Sequence, residues 1–248
     1  AIVLRCAPSF LRFGHFEYYY YQNDLVNLKK LLDGTIELYF SHFIGHQNSY
    51  YLFFQEVVKR TAKLMAKWQS VGFCHGVMNT DNMSILGLTL DYGPYGMIEK
   101  FDLDHICNHS DYEGRYSFGN QPEIAKWNLE KLGIAISPYL APADQATILN
   151  TFEIIFNVEY QRLLREKIGL TTIENTDEAL LRTMLKMLSE TKIDYTLFFR
   201  QLVDYKIDQE IAESLPTSLR NFLKIYNDRL KREHSSDEDR SQKLVRIN

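Results

Sequence analysis

Apolar residues recur at helical spacing along most of the chain. Val57, Leu64 and Trp68 fall on one face of a segment that runs from residue 50 to residue 69. A glycine follows closely at position 72, where the left-handed backbone that ends many helices suits a glycine. The pattern therefore predicts one long helix that ends just before Gly72.

Other stretches with the same period predict further helices over residues 25–32, 124–132 and 142–168. We expect Gly34 to end the first of these helices. Helix starts are also expected near Asp177 and Asp194, because an aspartate there places negative charge at the positive end of the helix dipole.

Between residues 83 and 90 the spacing of apolar residues changes. Short buried strands are predicted here from the run Met83, Ile85, Leu86, Leu88 and Leu90. The predicted fold is therefore mainly α with a small β-hairpin region.

Composition and charge narrow the classes of function. The chain has 248 residues, 45% hydrophobic and 24% charged, which is enough to bury one substantial core. A formal net charge of -4 gives no reason to expect nucleic acid or an anionic membrane surface as a partner. No apolar segment approaches the roughly 20 residues of a membrane span. The three widely spaced cysteines favour a reducing compartment, and we expect a cytoplasmic protein, or a mitochondrial one in a eukaryote.

The candidate chemistry lies between His75 and Gly93. In the protein-kinase signature H-R-D-L-x-x-x-N, the His and the Asn have the same spacing as His75 and Asn82, which are seven positions apart. That Asn and the Asp of a following D-F-G hold magnesium in kinases. Asp91-Tyr92-Gly93 has the D-aromatic-G pattern. The spacing thus indicates a kinase-like nucleotide site with Asn82 and Asp91 as metal ligands.

Val77 stands where that signature has its catalytic Asp. A valine side chain cannot accept a proton, so an active site would need another carboxylate. Asp81 is the nearest candidate, because it directly precedes Asn82. We expect His75 to organise the loop through a backbone hydrogen bond, and not to act as a base.

Four blocks of the chain resemble the selenoprotein O family, also called the YdiU family. They are GFCHGVMNTDNMSILGLTLDYGPY at 72–95, FDLDHICNHSDYEGRYSFGNQP at 101–122, APSFLRFGHFE at 7–17 and DYTLFFR at 194–200. The resemblance covers roughly residues 1–205 and its motifs are highly specific.

This resemblance implies a kinase-like fold that transfers AMP, not phosphate, from ATP to Ser, Thr or Tyr hydroxyls of proteins. Carried over residue by residue, it implies Asp81 as the proton acceptor. It implies Asn82 and Asp91 as ligands of Mg²⁺, with Mn²⁺ as the alternative. The nucleotide contacts that it implies are Arg5, Arg12 and Asp91.

Family members have a smaller lobe ahead of these blocks, with a glycine-rich segment and a phosphate-binding lysine. Neither feature is found in this sequence. We interpret the chain as a fragment without that lobe, and expect it to bind ATP weakly and to be impaired in transfer on its own. The expected organisation is a kinase-like C-terminal lobe with a helical extension over residues 1–230, and a charged flexible tail over residues 231–248.

Two other functions stay open. One is ordinary protein kinase activity with Asp81 as the substitute base. The other is a non-catalytic interaction domain built on a degenerate kinase lobe. Val77 favours the interaction domain, whereas the retention of Asn82 and Asp91 opposes it, because a pure scaffold has no chemical need for metal ligands.

Overall fold

Helices make up most of the described chain, which comprises residues 4, 6–233 and 235–248 of a computed structural model. The α-helices are α1 (Phe13–Tyr21), α2 (Leu25–Tyr39), α3 (Ser49–Val71), α4 (Gln121–Ala135), α5 (Pro142–Leu149), α6 (Phe152–Lys167), α7 (Asp177–Thr191), α8 (Tyr195–Gln201), α9 (Thr217–Leu230) and α10 (Asp237–Ile247). Short 3₁₀ turns lie at Ser41–Phe43, Thr80–Asn82 and Phe118–Asn120.

Two short strands form an antiparallel pair. They are β1 (Phe73–Cys74) and β2 (Gly96–Met97), and Phe73 lies opposite Met97. The prediction of a mainly α fold is confirmed, and the predicted β-hairpin region is instead a two-stranded antiparallel sheet whose strands are joined by a long segment. The strands do not lie within residues 83–90, however, where that prediction was wrong. Those residues form isolated bridges, such as the one between Met83 and Thr89.

The long predicted helix is confirmed as α3. Its end is also as predicted, since Gly72 adopts a φ of +73°. A side chain at this position would contact Ile98 and Tyr195 at close range. Gly72 therefore both reverses the chain and lets α3 approach the neighbouring segments.

The predicted helix starts near residues 177 and 194 are confirmed. Helix α7 begins at Asp177, and the Asp194 carboxylate accepts a hydrogen bond of 2.7 Å from the Leu197 N–H at the start of α8. The predicted stop at Gly34 was wrong, because α2 continues through it to Tyr39. The next two residues after Gly34 are buried in the core, so packing outweighs the weak helix propensity of glycine.

One long predicted helix is divided in the structure. The chain over residues 142–168 forms α5 and α6, which are separated at Asn150 and Thr151. The apolar side chains of α6 pack in two separate hydrophobic cores. Phe152 lies in a first core with α1 to α5, and Leu164 lies in a second core with α7 to α10.

The prediction of a flexible tail after residue 230 differs from the structure. Helix α10 occupies residues 237–247, and Leu244 and Arg240 on it are buried. The segment carries many charges, but its apolar residues at helical spacing are sufficient to pack it into the second core. None of the helices in the described part of the chain has the length and apolar character that crossing a bilayer requires.

A buried ion cluster joins α7 and α9. The Arg229 side chain is only 1% exposed and lies 2.6 Å from Asp177 and 2.9 Å from Glu233. Burial alone would raise the pKa of Glu233, but hydrogen bonds from Thr171 and Thr172 outweigh it and lower this pKa to about 2. Glu233 therefore faces Arg229 as an anion at neutral pH, and the ion pairs of Arg229 with Glu233 and Asp177 provide the partners that a buried charge requires.

We predict that Arg229→Ala lowers the free energy of unfolding by about 3–5 kcal/mol, because it leaves two buried carboxylates without their cation. The matched control is Arg182→Ala, which removes an exposed pair with Glu178 within α7. Exposed pairs of this kind contribute only about 0.5 kcal/mol. Urea denaturation measures both, and equal losses for the two variants would contradict the assignment.

Candidate functional site

The residues from His75 to Asn82, here called the site loop, follow β1 directly. The loop ends in the 3₁₀ turn Thr80–Asn82, which presents Asp81 and Asn82 side by side. Asp81 is exposed, and its carboxylate makes no ion pair with any residue that the structure describes. It is thus accessible to a reacting group from outside the chain.

His75 fixes the site loop relative to the residue before Asp91. The residue is 1% exposed, and its Nε2 lies 2.7 Å from the Leu90 carbonyl oxygen. The Val77 N–H donates to Nδ1 over 3.4 Å. Since Nδ1 accepts, Nε2 carries the proton and donates to Leu90. Burial lowers the pKa of His75, which keeps the ring neutral at physiological pH. The predicted backbone hydrogen bond of this histidine is therefore present in the structure.

Asn82 is oriented by the backbone of the site loop. Its Nδ2 donates to the Val77 carbonyl over 2.9 Å. This bond occupies the amide nitrogen, and within the described residues the Oδ1 atom receives no hydrogen bond. An amide oxygen left in this way is a suitable ligand for a hard cation. Val77 therefore contributes its carbonyl to the site, and not its side chain.

Asp91 adopts an uncommon backbone conformation. Its φ is +53°, in the left-handed region that few residues other than glycine visit. The Gly93 N–H donates to the Asp91 carbonyl over 2.7 Å and closes a tight turn after it. Non-glycine residues held in such conformations are concentrated at functional sites. The turn also leaves the Asp91 carboxylate exposed.

Arg12 and Asp91 meet, although they are far apart in sequence. The Arg12 Nη2 lies 2.9 Å from Asp91 Oδ1 and 2.7 Å from Oδ2. The two side chains are 28% and 38% exposed, so the pair is open to solvent. A predicted nucleotide contact thus pairs directly with a predicted metal ligand. A cation bound by Asp91 would compete with Arg12 for the same carboxylate.

The start of α1 is bonded to the chain just after the site loop. The Phe13 N–H donates to the Met83 carbonyl over 3.0 Å, and the Ile85 N–H donates to the Leu11 carbonyl over 3.0 Å. Arg12 lies between these bonds, opposite Ser84. The pairing places Arg12 beside the loop that carries Asn82.

Gly14 allows α1 to approach Asp81 closely. A methyl group added at Gly14 would overlap the Asp81 Oδ1 atom. The close approach therefore requires that no side chain be present at this position. Together with the contact between Arg12 and Asp91, this approach places the start of α1 against both Asp81 and Asp91.

The donor set suits magnesium better than a soft metal. Asn82 and Asp91 offer oxygen, and Mg²⁺ commonly takes only one or two protein groups and completes its shell with phosphate oxygens and water. Among the described residues, no group of three or more His, Cys, Asp and Glu side chains is arranged to hold a metal ion. The residues present fit a cation that is shared with a ligand's phosphates.

Arg5 lies outside the described residues, so the structure gives no position for it.

The sequence analysis did not predict three side-chain amides that hold the backbone of the site loop, those of Asn108, Gln121 and Asn128. Their only sequence signal is that Asn108 and Gln121 lie in the block at 101–122.

Comparisons with known proteins agree with one another. The family model described as protein adenylyltransferase SelO matches residues 1–248. The protein nucleotidyltransferase YdiU of Aliivibrio salmonicida (strain LFI1238) is 42% identical over 252 residues, an alignment that covers 100% of this chain and 52% of that relative. The chain thus spans about half the length of the curated relative that it matches.

We predict that Gly14→Ala and Gly34→Ala have opposite effects on stability. Gly34 lies within α2, and a methyl group there meets no atom within 4 Å. Gly34→Ala should raise the free energy of unfolding by about 0.5–1 kcal/mol, the usual gain for this change in a helix. Gly14→Ala should lower it, because the new methyl group displaces Asp81. Urea denaturation of both variants tests this, and an equal gain for the two would show that the contact does not exist.

Proposed function

Because this chain belongs to the protein adenylyltransferase SelO family, we propose that it transfers AMP from ATP to Ser, Thr or Tyr hydroxyls of proteins. The observation that carries the proposal is the family match over the whole chain. The similarity to a protein nucleotidyltransferase supports it. The local geometry is compatible with this chemistry and suggests a role for each residue.

We assign the proton transfer to Asp81. The acceptor hydroxyl oxygen forms a bond to the α-phosphorus of ATP while the bond from that phosphorus to the bridging oxygen breaks, and pyrophosphate leaves. The hydroxyl proton passes to the Asp81 carboxylate, which is exposed and makes no ion pair with a described residue. A positioned base of this kind contributes roughly 10²- to 10⁴-fold to the rate.

We assign Asn82 Oδ1 and the Asp91 carboxylate to Mg²⁺, with Mn²⁺ as the alternative. The bond from Asn82 to the Val77 carbonyl leaves that oxygen available, and the strained turn at Asp91 presents its carboxylate. When bound, such an ion offsets the negative charge that develops on the phosphate oxygens. The two side chains that would hold it lie at the end of the site loop and just after Leu90.

Arg12 has two roles in this proposal. Without nucleotide it neutralises Asp91, as the ion pair at 2.7 Å illustrates. With nucleotide, its planar fork of donors suits a phosphate group. Because Arg12 lies beside Asp91 already, only its side chain has to move from the carboxylate to the phosphate. Arg5 is proposed as a second nucleotide contact on the family resemblance alone.

Val77 favours AMP transfer over phosphate transfer in this proposal. Its side chain cannot replace a kinase base, and its N–H and carbonyl are both engaged, with His75 and Asn82. The group that is transferred depends on which phosphorus faces the acceptor, and the orientation of the whole nucleotide determines this. We therefore expect Val77→Asp to leave the transferred group unchanged.

The test is label transfer to protein from α-labelled and γ-labelled ATP, with the complete gene product that contains this chain. The proposal predicts label on protein from α-labelled ATP only. Asp81→Asn should lower this rate roughly 10²- to 10⁴-fold with little change in ATP affinity, because only the base is lost.

Two outcomes would count against the proposal. Label from γ-labelled ATP alone would identify an ordinary protein kinase instead. No label from either nucleotide, with a folded protein and a broad set of protein substrates, would favour the non-catalytic interaction domain. Wild-type rates in Asp81→Asn would remove Asp81 from the mechanism and leave the rest of the proposal intact.

A further inference from the structure

The site loop is anchored by side-chain amides that come from the chain after Asp91. Asn108 Nδ2 donates to the Gly76 carbonyl over 3.1 Å. Asn128 Nδ2 donates to the Met78 carbonyl over 2.8 Å. These bonds lie just before the turn that carries Asp81. The loop backbone therefore has neighbours from two distant parts of the sequence.

Gln121 makes the most complete of these contacts. Its Oε1 accepts from the His75 N–H over 2.8 Å, and its Nε2 donates to the Phe73 carbonyl over 2.9 Å. The residue is 0% exposed. Strand β1 has β2 as its single strand neighbour in the described sheet. The Gln121 amide thus bonds to the end of β1 as the backbone of a second strand would.

The position of Gln121 in the fold gives this contact its significance. It is the first residue of α4 and follows directly on the 3₁₀ turn Phe118–Asn120, at the end of the long segment after Asp91. The Gln121 side chain therefore joins the end of that segment to His75, whose ring is hydrogen-bonded to the Leu90 carbonyl. Displacement of His75 would disturb both Asn82 and Asp91, since the imidazole is bonded on both sides.

We propose that Gln121 is a positioning residue for the reaction, which acts through His75 and the site loop on Asp81 and Asn82. The inference rests on the proposed function. The positioning role requires a side chain with both a hydrogen-bond donor and a hydrogen-bond acceptor. An amide has both, whereas a methionine or an ionised carboxylate does not. Gln121 touches no reacting atom, and its effect is on the geometry of the groups that do.

The chain offers a matched control in Gln145. This residue is also a buried glutamine whose Nε2 donates to a backbone carbonyl, that of Leu140, over 2.8 Å. It lies on α5, and among the described residues no hydrogen bond joins its side chain to the site loop. Gln121→Met and Gln145→Met therefore each remove a buried amide contact of the same kind. Only the first of them involves the site loop.

Two measurements on the complete gene product separate positioning from simple stability. Hydrogen exchange at residues 75–82 should become roughly tenfold faster in Gln121→Met and remain unchanged in Gln145→Met. The kcat for label transfer from α-labelled ATP should fall roughly 10- to 100-fold in Gln121→Met, with the KM for ATP within about twofold of wild type. Gln145→Met should retain the wild-type kcat at temperatures where it is folded.

Gln121→Asn covers the case in which Gln121→Met does not fold. It keeps an uncharged amide on a side chain one methylene shorter, which weakens the bonds to Phe73 and His75, so its effects should lie between those of wild type and Gln121→Met. Unchanged loop exchange or wild-type kcat in a folded Gln121 variant would overturn the inference. A wild-type protein that transfers no label would instead overturn the proposed function, and the exchange measurement would still decide whether Gln121 anchors the loop.

Discussion

The site depends on one buried, neutral imidazole. His75 accepts from Val77 at one ring nitrogen and donates to Leu90 at the other, and only the neutral ring can do both. Trp68 stacks on this ring at 5.2 Å between centroids, and its own N–H donates to Thr89 over 2.9 Å. Burial among these groups lowers the pKa of His75, so the ring stays neutral under physiological conditions.

The rest of the site is built around this link. The first turn of α1 contacts both sides of it, through the Arg12 pair with Asp91 and the close approach of Gly14 to Asp81. The amide of Gln121 bonds to the His75 backbone from the opposite part of the chain. The Gln121 amide carries no charge, so its hydrogen bonds vary little in strength with pH or salt, whereas the Arg12 pair with Asp91 is exposed and weakened by salt.

Local signals in the sequence were sufficient for much of the fold. Gly72 and Asp194 identified a helix end and a helix start, because a left-handed turn and an N-terminal cap depend on neighbouring residues only. The helix end predicted at Gly34 was wrong, because burial of the neighbouring side chains decides whether α2 continues. The packing of α10 likewise depends on distant partners, which its charged composition conceals.

The candidate site likewise combines residues that the sequence predicts with contacts that it does not predict. The spacing predicts Asn82 and Asp91 as site residues, and the valine at position 77 makes Asp81 the nearest candidate base. The Arg12 pair with Asp91 spans 79 positions, and the bond from Gln121 to His75 spans 46. No short motif indicates contacts of that length. They follow from the way α1 and α4 pack against the site loop, which is why the anchoring amides emerged only from the structure.

The central claim is that Asn82 and Asp91 share one cation while Asp81 remains free to accept a proton. Mn²⁺ binding to the complete gene product, measured by electron paramagnetic resonance with a non-hydrolysable ATP analogue, tests it most directly. The account predicts that Asn82→Ala and Asp91→Ala each weaken binding roughly tenfold or more, whereas Asp81→Asn changes it by less than about threefold. Unchanged Mn²⁺ affinity in folded Asn82→Ala or Asp91→Ala protein would contradict it.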